Sequence, residues 1–145
     1  MKPLRITLAI VFCILSAVPN FSQSKARTLV KSFNVSEVET VDLNIDGEVK
    51  IKNWTKDFMR IEMEVSLENG TDRLLKNMVV ANRFYLASET QNSNMTIFVP
   101  GLKRDITIGS QVIKEKISYS ISIPERILTK VSEKETLSMS SPEEK

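Results

Sequence analysis

Asp42, Asn44, Asp46 and Gly47 open a stretch, DLNIDGEVKIKN (Asp42–Asn53), that is spelled like the start of an EF-hand calcium loop. In such a loop positions 1, 3 and 5 donate oxygen and position 6 is Gly. Position 12 is a Glu that grips the ion with both carboxylate oxygens. Here position 12 is Asn53, which has no carboxylate. The neighbours decide the matter. Leu43, Ile45, Val49 and Ile51 alternate with polar residues, which is the rhythm of a half-buried strand. Oxygens at i, i+2 and i+4 of a strand spread over about 13 Å and do not converge on one ion. The stretch therefore predicts strand, not a metal site.

Other chemistries are excluded by composition. The chain has no His, and its one cysteine is Cys13. That removes Ser–His–Asp and Cys–His catalysis, Cys/His zinc sites and c-type haem attachment. Only four glycines occur and there is no G-x-x-x-x-G-K run to cradle a phosphate. Glu62 and Glu64 form a carboxylate pair, but on a charged strand face with Lys nearby, without the burial that separates an acid from a base. Sequons at Asn34, Asn53, Asn69 and Asn94 matter only in a eukaryotic secretory pathway. Trp54 and Phe58 bracket a turn, where Trp54 reads as a cap on the core. No catalytic residue, cofactor or metal ligand is assigned.

The N-terminus points outward from the cell. Lys2 and Arg5 precede the apolar run ITLAIVFCILSAV (Ile6–Val18), followed by PNFSQS. That is the layout of a secretory signal peptide, and the run is shorter than the roughly 20 residues of a membrane span. Cleavage after Ser22 or Ser24 fits the small residue required before the cut. Cys13 lies inside the run behind the bulky Phe12, which argues against lipidation. Loss of residues 1–22 removes two of the 20 Lys and Arg and none of the 18 Asp and Glu, leaving 18 of each. A neutral chain has no pull toward nucleic acid and no basic cluster for an anionic membrane. Without cysteine, the mature domain depends on its hydrophobic core alone. The expected location is the periplasm, cell envelope or extracellular space, with no membrane span after cleavage.

The elements follow from periodicity. Residues 23–32 read as a polar lead-in. Alternation starts at Phe33 and Val35 and continues through Val41, Leu43, Ile45, Val49 and Ile51; Asp46-Gly47 either closes a hairpin or bends the chain between two strands. Met59, Ile61, Met63, Val65 and Leu67 form one face of the next strand; if this strand pairs with residues 48–52, Lys50 and Lys52 meet Glu62 and Glu64. Leu74, Leu75, Met78 and Val79 switch to helical spacing, and Thr71 and Asp72 suit a helix start, so a helix is expected over about 72–83. Strands are expected over 84–90, 95–99 and 105–109, with a turn at 91–94. Residues 115–124 then alternate Ile117, Tyr119, Ile121 and Ile123 with Ser118, Ser120 and Ser122. Residues 132–145 are polar, without period, and read as a disordered tail. The domain spans 33–131.

FNVSEVETVDLNIDGEVKIKNW, RIEMEVS, ENGTDRLLKNMVVANRFYL, MTIFVPGL and ITIGSQVIKEKISYSISIPERI together resemble the adhesin-like (head-GIN-type) domains of bacterial envelope proteins, over about residues 33–127. The shared pattern is a strand ending in G-x-V/I-x-I, then short strands and a Y-x-I-x-V/I-P segment. The resemblance implies a mainly β fold, a short β-solenoid or stacked β-sheets with one inserted helix, and no catalytic residues. Members usually continue past the ISIP segment with further rungs; here the chain turns polar. An open edge is therefore expected along Ile117, Ser118, Tyr119, Ser120, Ile121, Ser122 and Ile123, able to pair with another chain. The expected function is an exported, non-catalytic, adhesin-like module that binds a protein or glycan partner through its β-sheet surface or that edge, or self-associates at the edge. A carboxylate-dependent glycan hydrolase and a truncated structural remnant are the alternatives.

Overall fold

The computed structural model describes residues 25–131; the signal-like segment and the polar tail lie outside this range. Among the described residues, ten strands and one α-helix make two four-stranded sheets and a small ribbon. The first sheet runs in the order β1 (Arg27–Asn34), β4 (Phe58–Leu67), β9 (Glu115–Pro124), β3 (Glu48–Trp54). The second runs β10 (Leu128–Val131), β2 (Thr40–Asn44), β6 (Asn94–Phe98), β5 (Ala87–Gln91). The ribbon is β7 (Thr107–Ile108) with β8 (Gln111–Val112). The mainly β chain with one helix is the one expected, and of the two arrangements that the resemblance implied, a short β-solenoid or stacked β-sheets, the strands form separate sheets.

Period two supplies one buried face per sheet. Met59, Ile61, Met63 and Val65 of β4 and Tyr119, Ile121 and Ile123 of β9 share a core with Val41 and Leu43 of β2 and Met95 and Ile97 of β6. The chain reaches the opposite sheet through short arches. One joins β2 to β3 by way of buried Ile45 and exposed Asp46 and Gly47. Gly47 has φ +137°, and a Cβ there would lie 2.5 Å from the Ile117 carbonyl oxygen, so only glycine fits. The second joins β9 to β10; buried Ile127 fills it and Arg126 donates to the carbonyls of Val35 (2.6 Å) and Val38 (3.0 Å). Asp46-Gly47 is therefore a bend between sheets, not a hairpin. β3 pairs parallel with β9, and β10 parallel with β2, which in turn pairs parallel with β6.

Three expectations are corrected. The lead-in is half strand: Arg27–Asn34 forms β1, antiparallel to β4 along its full length. Its inward positions are Leu29, Lys31 and Phe33, and the lysine broke the apolar rhythm that sequence patterning relies on. Strand 84–90 begins only at Ala87. The helix α1 is Asp72–Val80, three residues shorter than expected. Thr71 caps it, Oγ1 accepting from the Leu74 amide at 3.2 Å. At the other end Asn82 takes φ +57°, and the Asn82 and Arg83 amides donate to the Val79 (3.0 Å) and Met78 (3.1 Å) carbonyls. That is a Schellman stop built on Asn in place of Gly.

Candidate functional site

The residues expected to form an open edge are not at an edge. β9 is hydrogen-bonded on both sides, antiparallel to β4 and parallel to β3. Ile117 to Ile123 therefore have no unpaired backbone row to offer. The sequence placed 115–124 last among the recognised strands, but order in the chain is not order in the sheet. Tyr119, Ile121 and Ile123 face the core. Ser118 and Ser120 line the outer side, and Ser122 is 6% exposed.

The same topology overturns a direct Lys–Glu pairing of β3 with β4. Ser120 lies between Lys50 and Glu62, and Ser118 between Glu48 and Glu64. The short serines leave a trough walled by Glu48, Lys50, Glu62 and Glu64, with Thr28 beside it. Its volume, about 240 Å³, is below that of ordinary ligand pockets. Glu62 binds the Arg60 guanidinium at 3.0 Å and Glu48 the Lys50 ammonium at 3.1 Å. Among the described residues no group of three or more His, Cys, Asp or Glu is placed to hold a metal ion. Asp42 accepts from the Asn94 amide at 2.9 Å, and Asp46 sits in the arch, so the EF-hand letters are spread along β2 and its exit.

Sheet edges are found elsewhere, and the two ends of the stack differ in chemistry. At one end lie β1 and the entry to β5. Lys31, on the inward side of β1, donates to the Leu86 carbonyl at 2.7 Å and lies 3.9 Å above the Tyr85 ring. An inward-pointing charge on an edge strand is a device against foreign strands, since pairing would bury it. β5 continues this: its inward positions, opposite Ile97 and Met95, are Ser88 and Thr90.

The other end is formed by β3 and β10. Each lies one strand outside the arch that feeds it, beyond β9 and β2 respectively. Ile51 pairs with fully buried Ile121 and so points inward, yet remains 42% exposed. Val131 pairs with buried Leu43 and is 45% exposed. These side chains face the core direction, and among the described residues no strand lies beyond them. The outward row of β3 is Glu48, Lys50 and Lys52, of mixed sign. Sequence patterning assigned Ile51 the parity of a core residue, correctly, but parity carries no information about edges. The turn from β3 to β4 is closed by Trp54, whose Nε1 donates to the Phe58 carbonyl at 2.8 Å and whose ring meets Phe58 edge to face at 4.8 Å.

No family model matches the chain, and no curated protein matches it. Among solved structures it is similar to one described as a "putative cell adhesion protein" from Clostridium sporogenes, with 17% identity and a TM-score of 0.39. The match covers 74% of this chain and 46% of that one, so the chain spans less than half the length of that structure. Among the described residues no helix is long and apolar enough to cross a membrane.

Proposed function

We propose that this chain is an exported, non-catalytic module of the cell envelope or exterior that binds or assembles through the β3/β10 end of its sandwich. The observation that carries the reading is the contrast between the ends. One is guarded by Lys31, Ser88 and Thr90; the other presents Ile51 and Val131 at inward positions on edge strands. Edge strands add partners by backbone pairing, with alternate side chains setting the fit. Such a surface takes a polypeptide strand rather than a glycan.

The test copies the guarded end onto the open one. The double variant Ile51→Lys, Val131→Lys places a charge where a partner strand would bury it. In density gradients of envelope and culture fractions the wild-type chain is expected in an assembly larger than a monomer, and the variant at monomer size. Identical sedimentation of the two overturns the reading. Export is tested separately: Edman sequencing of the mature protein should begin at Gln23 or Lys25, and an intact Met1 overturns it.

A further inference from the structure

Resting on the reading that the β3/β10 end is the contact surface, we infer that its occupant is a second copy of this chain, joined about a two-fold axis normal to the sheets near Lys50. Such an axis keeps each sheet in its own plane and sets β3 antiparallel to β3 of the other copy. Antiparallel neighbours that face each other point to the same side of the sheet, so the register must centre on a residue. Centred on Lys50, it sets Val49 opposite the other copy's Ile51 on the inner face, twice. On the outer face it sets Glu48 opposite the other copy's Lys52, also twice. Centring on Val49 leaves Ile51 opposite Gly47, with no apolar partner.

The Lys50 register thus covers the half-exposed Ile51 and matches charge in one step. Its one unfavourable contact is Lys50 against its own image. These are long side chains, 78% exposed for Lys50, where like charges are screened by water and salt. The second sheet shares the axis. β10 is the edge strand of that sheet at the same end, beyond β2, with Lys130 paired to Asp42. The same operation turns β10, with its half-exposed Val131, toward β10 of the other copy. The guarded β1/β5 end stays outside, so the assembly closes at two copies instead of growing into a fibre.

The experiment is sedimentation equilibrium on protein purified in the form its own cell produces, from micromolar to millimolar. Dimers are expected. Ile51→Lys should weaken them about tenfold or more. Glu48→Lys or Lys52→Glu alone should each weaken them about 2- to 30-fold, since symmetry counts each pair twice, and the two swaps together should restore the wild-type value. Lys50→Thr, which removes the self-opposed charge, should tighten them. Urea midpoints of the variants show whether they remain folded. A dimer weakened by Ile51→Lys but not rescued by the double swap overturns the register. A chain monomeric throughout overturns the second copy while leaving the end open to another partner. A chain that dimerises only when residues 132–145 are removed also overturns it, because its own tail is then the occupant. A dimer indifferent to Ile51→Lys overturns both the inference and the function on which it rests.

Discussion

Tyr119 is 2% exposed and its hydroxyl has no hydrogen-bond partner among the described residues. Burial first, and Asp46 second, push its ionisation well above the ordinary tyrosine value of 10.0. A raised acid pKa stabilises the fold while the unfolded chain also stays protonated. Above about pH 10 the unfolded chain ionises and the native one does not, so stability falls as pH rises. Tyr119→Phe removes an orphan hydroxyl and keeps the ring. It should raise stability by about 1 kcal/mol at neutral pH and lessen the alkaline decline. Urea titrations of both proteins on either side of pH 10 check this; a less stable Phe variant would mean that the hydroxyl has a partner. Arg83 is the other residue that sequence could not rank. Its guanidinium binds both carboxylate oxygens of Glu115 and donates to the Gly101 (2.8 Å) and Arg104 (2.9 Å) carbonyls, with side chains only 10% and 13% exposed. Gly101 is tied to the same spot: a Cβ there would fall 2.0 Å from the Arg83 carbonyl oxygen. Glu115→Ala strands a buried charge and should cost about 3 kcal/mol in urea unfolding. A loss below about 1 kcal/mol, typical of surface pairs, would show that water reaches the site.

At the scale of elements, local chemistry was readable and partnership was not. Residues 58–67 and 115–124 were legible as strands because nearly every inward position is apolar and the outward ones are polar or charged. Thr71 and Asp72 announced the helix, and Asp72 also takes both 2.8 Å bonds from Arg27, which ties the helix start to β1. Its stop was missed because the left-handed residue is Asn82, where the eye looks for glycine. β1 was missed because Lys31 occupies an inward position. The candidate edge was misplaced because strand order depends on which strand the arches lay beside which, and no residue in 117–123 encodes that. Lys31 makes this testable. Lys31→Val gives β1 an unbroken apolar inner row from Leu29 to Phe33 and leaves Ser88 and Thr90 of β5 as the polar inward residues of that end. Folding should survive, since the ammonium contributes one carbonyl bond and contacts with the Tyr85 and Phe33 rings at a half-exposed site. Solubility should not: light scattering is expected to show concentration-dependent growth beyond a dimer, because both ends would then accept strands. A variant that remains as soluble as wild type would remove the edge-guard role from Lys31.

For the whole molecule, the order of strands in the sheets governs how the fold is reached. β3 follows β2 directly in sequence, yet its sheet neighbour among the described residues is β9, which is made long after it: Glu48 pairs with Ser118 and Trp54 with Pro124. β10, formed last among the described elements, completes the sheet begun by β2. The hairpin of β5 and β6 is local, closed by Asn92 and Ser93 at positive φ, but it too buries Met95 and Ile97 only when the first sheet arrives. Neither sheet has a covered face alone, and one cluster draws on both. Two consequences follow. The described domain should unfold in a single transition, with Trp54 fluorescence and far-ultraviolet dichroism coincident in urea. Refolding should also be slow for its size, on the order of milliseconds to seconds, because loop closure between β3 and β9 must be met before their contacts stabilise anything. Stopped-flow refolding followed at Trp54, which sits at the end of β3 and reports on that pairing, measures it. Microsecond folding, or a Trp54 signal that recovers well before the far-ultraviolet signal, would show that β3 docks without β9.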